Sequence, residues 1–323
     1  MNVKLILSYL ISILLVFVIL LFVDVNKVIE GVVKFGIVHF IVLMLLIVIS
    51  FVLRGILWKE LLRPFGKVNF SDSFHINNIG FLVNNILPLR VGEIIKALLI
   101  GRKYSIGKVK AFSTVLVNRI LEGSVLVLFF ISGIALTPSI SYEIKQIMAI
   151  PALLFMLLLG IFLFPGIYLK VSGKVVKKIS AGLYEKTRHL IEDIITGEKA
   201  FRQGWKANAS IILSTIGVWG VIAGVYYLSA LRFGLNIGVG ELLVITAFTS
   251  LVTIIPSAPG FIGTFQAGFI FIFLALGLGA DEATAISIVI QIAFFVSTSV
   301  LGIISLHLTG IKMQEITRLR KAG

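Results

Sequence analysis

The chain has 323 residues, 58% of them hydrophobic and only 14% charged, and its mean hydropathy is +1.08, which excludes an ordinary soluble domain. The composition is that of a polytopic membrane protein, so the formal charge of +14 reads as orientation signals and anionic-lipid contacts rather than as a nucleic-acid surface. There is no cysteine, which excludes disulfides and thiolate metal or nucleophile sites.

In chain order, the first apolar stretch, 4–23, has the length of a bilayer span and no small-residue cleavage site after it, so it is expected to be a retained helix. Further spans of about twenty residues or more are expected at 36–57, 109–136, 149–170, 208–231 and 282–308. Two apolar regions, 73–100 and 241–278, are broken near the middle by Pro88 and Gly92 and by Pro256, Pro259, Gly260 and Gly263. Their arms are too short to span comfortably, and both read as re-entrant helical hairpins. The polar linker 171–206 carries Val171, Val175, Val176, Ile179 and Leu183 at helical spacing among lysines, and reads as amphipathic helix on the inner leaflet.

Twenty-one Lys and Arg fall in the segments that are cytoplasmic if the N-terminus is inside, against Lys27, Lys34, Lys145 and Arg232 outside. That bias places both termini in the cytoplasm. The order helix, hairpin, helix then occurs twice with opposite orientation. The fold class expected is an all-α membrane protein of about six spans plus two re-entrant hairpins, arranged as an inverted-topology repeat in one integral membrane domain, 1–323. Repeat 1 covers 36–136 and repeat 2 covers 208–308. Two full pairs of short, kinked helices would give the same parity.

Charges inside apolar segments cost about 2.5 to 3.5 kcal/mol each at mid-bilayer on insertion scales, so they pair or face a cavity. Arg90, Glu93 and Lys96 follow the first break at three-residue spacing. Arg119 and Glu122 share one face of the span 109–136, near mid-depth. These five, with Asn84 and Asn85, are the candidate substrate-binding residues, and their cation surplus suits a phosphate or another anionic headgroup. Pairing that only fixes hairpin against helix is the plain structural alternative. Arg54, with Trp58 four residues on, reads as an inner-interface anchor. The second break has no charge. Pro256, Pro259, Gly260, Gly263, Gln266 and Gln291 are its candidate gate residues, and Gln291 could partner Gln266.

No Walker A loop, His-Glu-x-x-His or carboxylate cluster of metal spacing is present, so no cofactor, metal or catalytic residue is expected. Three readings remain: a flippase-like lipid transporter, an intramembrane lipid-modifying enzyme using Glu93 or Glu122 as base, and a non-transporting lipid-binding subunit. The partners considered are a membrane lipid with an anionic headgroup, a second copy, or a separate lipid-synthesising enzyme.

Four segments, Arg54 to Leu62 (R-G-I-L-W-K-E-L-L), Asn85 to Lys96 (N-I-L-P-L-R-V-G-E-I-I-K), Asn118 to Glu122 (N-R-I-L-E) and Pro256 to Gln266 (P-S-A-P-G-F-I-G-T-F-Q), carry a resemblance over nearly the whole chain. In order and spacing they resemble the flippase-like transmembrane region of the lysylphosphatidylglycerol synthase family. The resemblance implies a protein of a prokaryotic cell membrane that moves a phospholipid or lipid-linked headgroup between leaflets, with two re-entrant hairpins. The 323 residues leave no room for the family's aminoacyl-transferase domain, so lysyl transfer is not expected. In this chain Gln266 stands where the family usually has Glu, and Gln291 lies near a usual Arg.

Overall fold

The computed structural model describes residues 23–87, 90–137, 203–253 and 258–322, with isolated positions between 14 and 21 and between 142 and 160. The helices are α1 (Val25–Phe35), α2 (Ile37–Leu62), α3 (Phe70–Ile86), α4 (Val91–Lys103), α5 (Lys108–Leu136), α6 (Trp205–Arg232), α7 (Val239–Val252), α8 (Thr264–Ala275), α9 (Ala280–Thr309) and α10 (Met313–Ala322). A 3-10 turn, Pro259–Phe261, lies between α7 and α8, and no strand occurs among the described residues. The protein is an all-α membrane protein. Helices α2, α5, α6 and α9 are long and apolar enough to cross a bilayer, and they match four of the expected spans. The expected spans 4–23 and 149–170 and the linker 171–206 lie almost wholly outside the described residues, as do Pro88 and Pro256.

Both broken regions form pairs of short helices. The first has arms of 17 and 13 residues, α3 and α4, and the second has arms of 14 and 12, α7 and α8. Within each pair the arms pack on each other. Outside them, α2 packs on α6, α3 on α9, α5 on α7, α4 on α5 and α8 on α9. Exchanging α2 with α6, α3 with α7, α4 with α8 and α5 with α9 maps this packing pattern onto itself.

Burial follows the same division. One apolar core joins Leu57 and Trp58 of α2 to Ile79, Ile95 and Val115 under the first pair. Another joins Ile47 and Phe51 of α2 to Val218, Phe269 and Ile286 around the second pair. Together these helices surround the two breaks with close-packed side chains.

Two helices were not expected. Residues 25–35, read as an external loop, form α1, whose free N–H groups are capped by the Asp24 carboxylate accepting from Asn26 and Lys27. Asp24 N–H in turn donates to Asp281 at 2.9 Å, tying α1 to the start of α9. The second is α10, which packs on α4. Helix α2 also continues to Leu62, five residues beyond the expected end at 57.

The open end of the first pair is fastened by Asp72, which accepts hydrogen bonds from Lys103 Nζ and Tyr104 Oη, both at 2.7 Å. Burial raises the Asp72 carboxyl pKa, but these donors, with the Lys103 charge, outweigh it and hold the group below its ordinary value. A depressed carboxyl pKa contributes stability that is complete above the unfolded value and is lost as pH falls through the folded one. The fastening is therefore expected to hold at neutral pH and to open under strong acid, below the ordinary carboxylate range. Amide exchange at 69–73 and 102–106 measured across an acid series reads this directly, and Asp72→Asn should show the faster exchange at neutral pH.

Candidate functional site

The charges of the first half converge. Glu122 of α5 accepts from Arg54 Nη1 of α2 and, at 2.9 Å, from Arg119 Nη1. Arg119 reaches with Nη2 to Glu93 of α4, whose other oxygen lies 2.8 Å from Lys96 Nζ. Lys96 is fully buried, donating to Asn77 Oδ1 at 3.1 Å and lying over the Trp58 ring at 5.1 Å. A chain of alternating charge thus runs Arg54, Glu122, Arg119, Glu93, Lys96 through the protein interior. Each carboxylate has two cationic partners, as buried acids require.

The structure corrects the reading of Arg54. Its side chain is only 11% exposed and paired with Glu122, and its guanidinium stacks near the rings of Phe81 and Trp219 at 5.6 and 5.5 Å. It belongs to the interior, not to the interface. Arg119 pairs with Glu122 on its own helix, and Glu93 joins Arg119 and Lys96, not Arg90 three residues before it.

Arg90 reaches across to the second break. It adopts a left-handed backbone conformation, φ 54° and ψ 35°, immediately before α4. From there Nη2 donates to the Thr253 carbonyl at 2.7 Å and to its hydroxyl at 3.1 Å, and the guanidinium lies 4.9 Å from the Phe261 ring. Phe261 is itself at positive φ, 62°. Two of the three non-glycine residues at positive φ among those described therefore sit at the two breaks and touch each other. Such conformations cost roughly 1 to 3 kcal/mol and persist where surrounding structure holds them, commonly at functional sites.

The remaining predicted residues shape the breaks. Asn84 Oδ1 accepts from Gly92 N–H at 2.8 Å, closing the first turn. Asn85 Nδ2 donates to Thr298 and Ser299 of α9 at 2.7 and 3.1 Å. Gln266 and Gln291 are not hydrogen-bonded to each other. Gln266 Oε1 accepts from Gly263 N–H at 2.8 Å, and Gln291 Nε2 donates to the Gly260 carbonyl, so each amide satisfies backbone freed by the second break. Pro259 opens the 3-10 turn, and Gly260 and Gly263 take positive φ around it.

Between the breaks lies a cavity of about 150 Å³. Its wall is aromatic and apolar, including Phe81, Trp219, Phe261 and Phe295, with Asn85, Thr253 and Gln291 as polar points. Arg54 is the charged residue that lines it. Trp219 Nε1 is buried without a hydrogen-bond partner in the structure. Sequence reading missed Arg54 and Trp219 as site residues. The isolated Arg in an apolar span was the one available signal for the first; nothing in the sequence marked the second.

The Lysylphosphatidylglycerol synthase TM region family matches residues 5–302. A UPF0104 membrane protein of Methanocaldococcus jannaschii is 25% identical over 318 residues, covering 92% of both chains. A UPF0104 membrane protein of Pyrococcus horikoshii is 24% identical over 305 residues, covering 86% of this chain and 90% of its own. No solved structure matches. The match over nearly the whole chain agrees with the long apolar helices and the segments around both breaks, and this multi-pass membrane protein belongs to the lysylphosphatidylglycerol synthase transmembrane-region family.

Proposed function

We propose that the chain is a flippase-like transporter that moves an anionic phospholipid or lipid-linked headgroup between leaflets through the cavity between the two breaks. The observation that carries this is the cavity itself, placed between two interrupted helix pairs and flanked by Arg54 and by Arg90. At 1.5 Å per residue the four short arms are about 18 to 26 Å long, less than the roughly 30 Å hydrocarbon core, which supports re-entrance. The self-mapping of the helix packing supports an inverted repeat with its site at the repeat interface. The positive-inside bias supports cytoplasmic termini.

On this reading Glu93, Lys96, Arg119 and Glu122 form the compensated base of the site, while Arg54 and Arg90 present cationic edges to the ligand. Asn84 and Asn85 hold the first hairpin, and the Gln266 and Gln291 turn is the neutral gate. The enzymatic alternative needs a carboxylate free to act as base. Glu93 and Glu122 are each engaged by two cations, which favours transport.

Headgroup-labelled lipids in proteoliposomes test the proposal. The wild-type chain should raise flux of an anionic lipid, and Arg54→Ala and Arg90→Ala should each lower it tenfold or more, about the loss of one charge-assisted hydrogen bond. If both variants stay folded and transport at the wild-type rate, the assigned site is wrong.

A further inference from the structure

We propose that the lipid accepted between the breaks carries a phosphomonoester, a headgroup with two negative charges, in preference to the singly charged phosphodiester of an ordinary phospholipid. The inference rests on the transporter reading and follows from charge. Within the apolar segments Arg54, Arg90, Lys96 and Arg119 face Glu93 and Glu122, leaving two positive charges uncompensated. A buried surplus of that size is costly and is relieved when a ligand supplies the missing anions. A dianion compensates both charges; a diester leaves one.

The free donors lie where that ligand would sit. Arg54 uses only Nη1, on Glu122, and it lines the cavity. Arg90 uses only Nη2, on a neutral carbonyl and hydroxyl of Thr253, another cavity residue. Trp219, 9% exposed, lines the same cavity and carries a buried, unpartnered indole N–H. Two guanidinium edges and one neutral donor match a terminal phosphate, whose oxygens accept parallel hydrogen bonds from arginine. The cavity is small and aromatic, which fits a bare phosphate better than a sugar-bearing headgroup rich in hydroxyls.

No protein group is needed to give the site its pH response. The charged groups around it are Arg54 from α2, Arg119 and Glu122 from α5, Arg90 just before α4, and Glu93 and Lys96 within α4; the titratable group in the cavity wall from α6 is Tyr226, and α7, α8, α9 and α3 add none to that wall. The ligand titrates instead, since a phosphomonoester takes its second charge near pH 6.

The test is binding to the full chain in detergent micelles, read by quenching of tryptophan fluorescence and by thermal shift, at pH 8 and at pH 5. The probes are phosphatidic acid, a polyprenyl monophosphate, phosphatidylglycerol, phosphatidylcholine and inorganic phosphate. At pH 8 both monoester lipids should bind about tenfold or more tighter than phosphatidylglycerol, and the preference should shrink at pH 5. Arg54→Met leaves Glu122 paired with Arg119, so it should fold and should abolish the preference. Equal binding of phosphatidylglycerol and the monoester lipids at pH 8 overturns the inference and leaves the transporter reading standing. Competition by inorganic phosphate at the same concentration overturns the lipid source, and absence of binding by every phosphate lipid overturns both the inference and the reading beneath it.

Discussion

Glu122→Gln should destabilise the protein by about 3 to 5 kcal/mol, the usual cost of removing one member of a buried, hydrogen-bonded ion network. Glu122 is the joint of the chain of charges. It is 3% exposed and holds Arg54 and Arg119 at once, so its neutralisation leaves two guanidinium groups short of a carboxylate and raises the local surplus of positive charge. The apparent melting temperature in detergent should fall on the order of 10 °C. Replacing Arg54 and Glu122 together by methionine removes charge in balance and leaves Arg119 with Glu93, so the double variant should recover much of the loss. A Glu122→Gln protein that melts like wild type would show that the network does not hold the helices together.

The second large effect is steric. Gly92 lies at the start of α4, where the two arms of the first pair approach so closely that a Cβ would overlap the carbonyl oxygen of Gly80 and sit 2.6 Å from Asn84 Oδ1. The first obstacle is backbone and cannot rotate away, and the second is the oxygen that accepts from Gly92 N–H. Gly92→Ala must therefore push the arms apart and strain the turn from which Arg90 reaches Thr253. Overpacking of this kind costs about 1 to 3 kcal/mol, and more where backbone has to move. We expect Gly92→Ala to express poorly and, where it folds, to lose flux. Gly220→Ala is the matched control, because nothing lies within 4 Å of a Cβ there, and it should be neutral or slightly stabilising through helix propensity. Equal behaviour of the two variants would rule out close approach of the arms.

What the sequence made legible, and what it hid, follows from the range of each interaction. Length and hydropathy marked α2, α5, α6 and α9 because crossing a bilayer is a local property of one helix. Arg119 and Glu122 are legible as neighbours because three-residue spacing puts them on one helix face, where they pair. Arg54 was misplaced for two reasons. The expected end of its helix, at 57, set it at the inner interface, whereas α2 runs to Leu62 and leaves Arg54 roughly 12 Å from that end. Its partner is also 68 positions away, a pairing that only tertiary packing creates. Arg90 shows the same limit. Proline and glycine announced the break, but the left-handed turn that aims the side chain at Thr253, 163 positions on, has no local signature. The second break was correctly read as uncharged, and its charge comes from the first.

That crossing contact changes how the two breaks relate. Arg90 and Phe261, each at positive φ, meet at the cavity wall, and with the Arg90–Thr253 hydrogen bonds this contact ties the first turn to the second. A headgroup that takes the Arg90 donors from Thr253 would loosen the link between the hairpins. On the proposed transporter reading, access from the two leaflets would in this way be coupled to occupation of the site.

The absence of cysteine makes the central claim directly measurable in the natural chain. Ser250 lines the cavity, and a Ser250→Cys protein reconstituted in vesicles can be treated with a membrane-impermeant thiol reagent from either side. If the cavity alternates between leaflets, the thiol should react from the outside and from the inside, and an anionic lipid substrate should slow both reactions. Reaction from one side alone, or from neither while the protein transports lipid, would contradict the account.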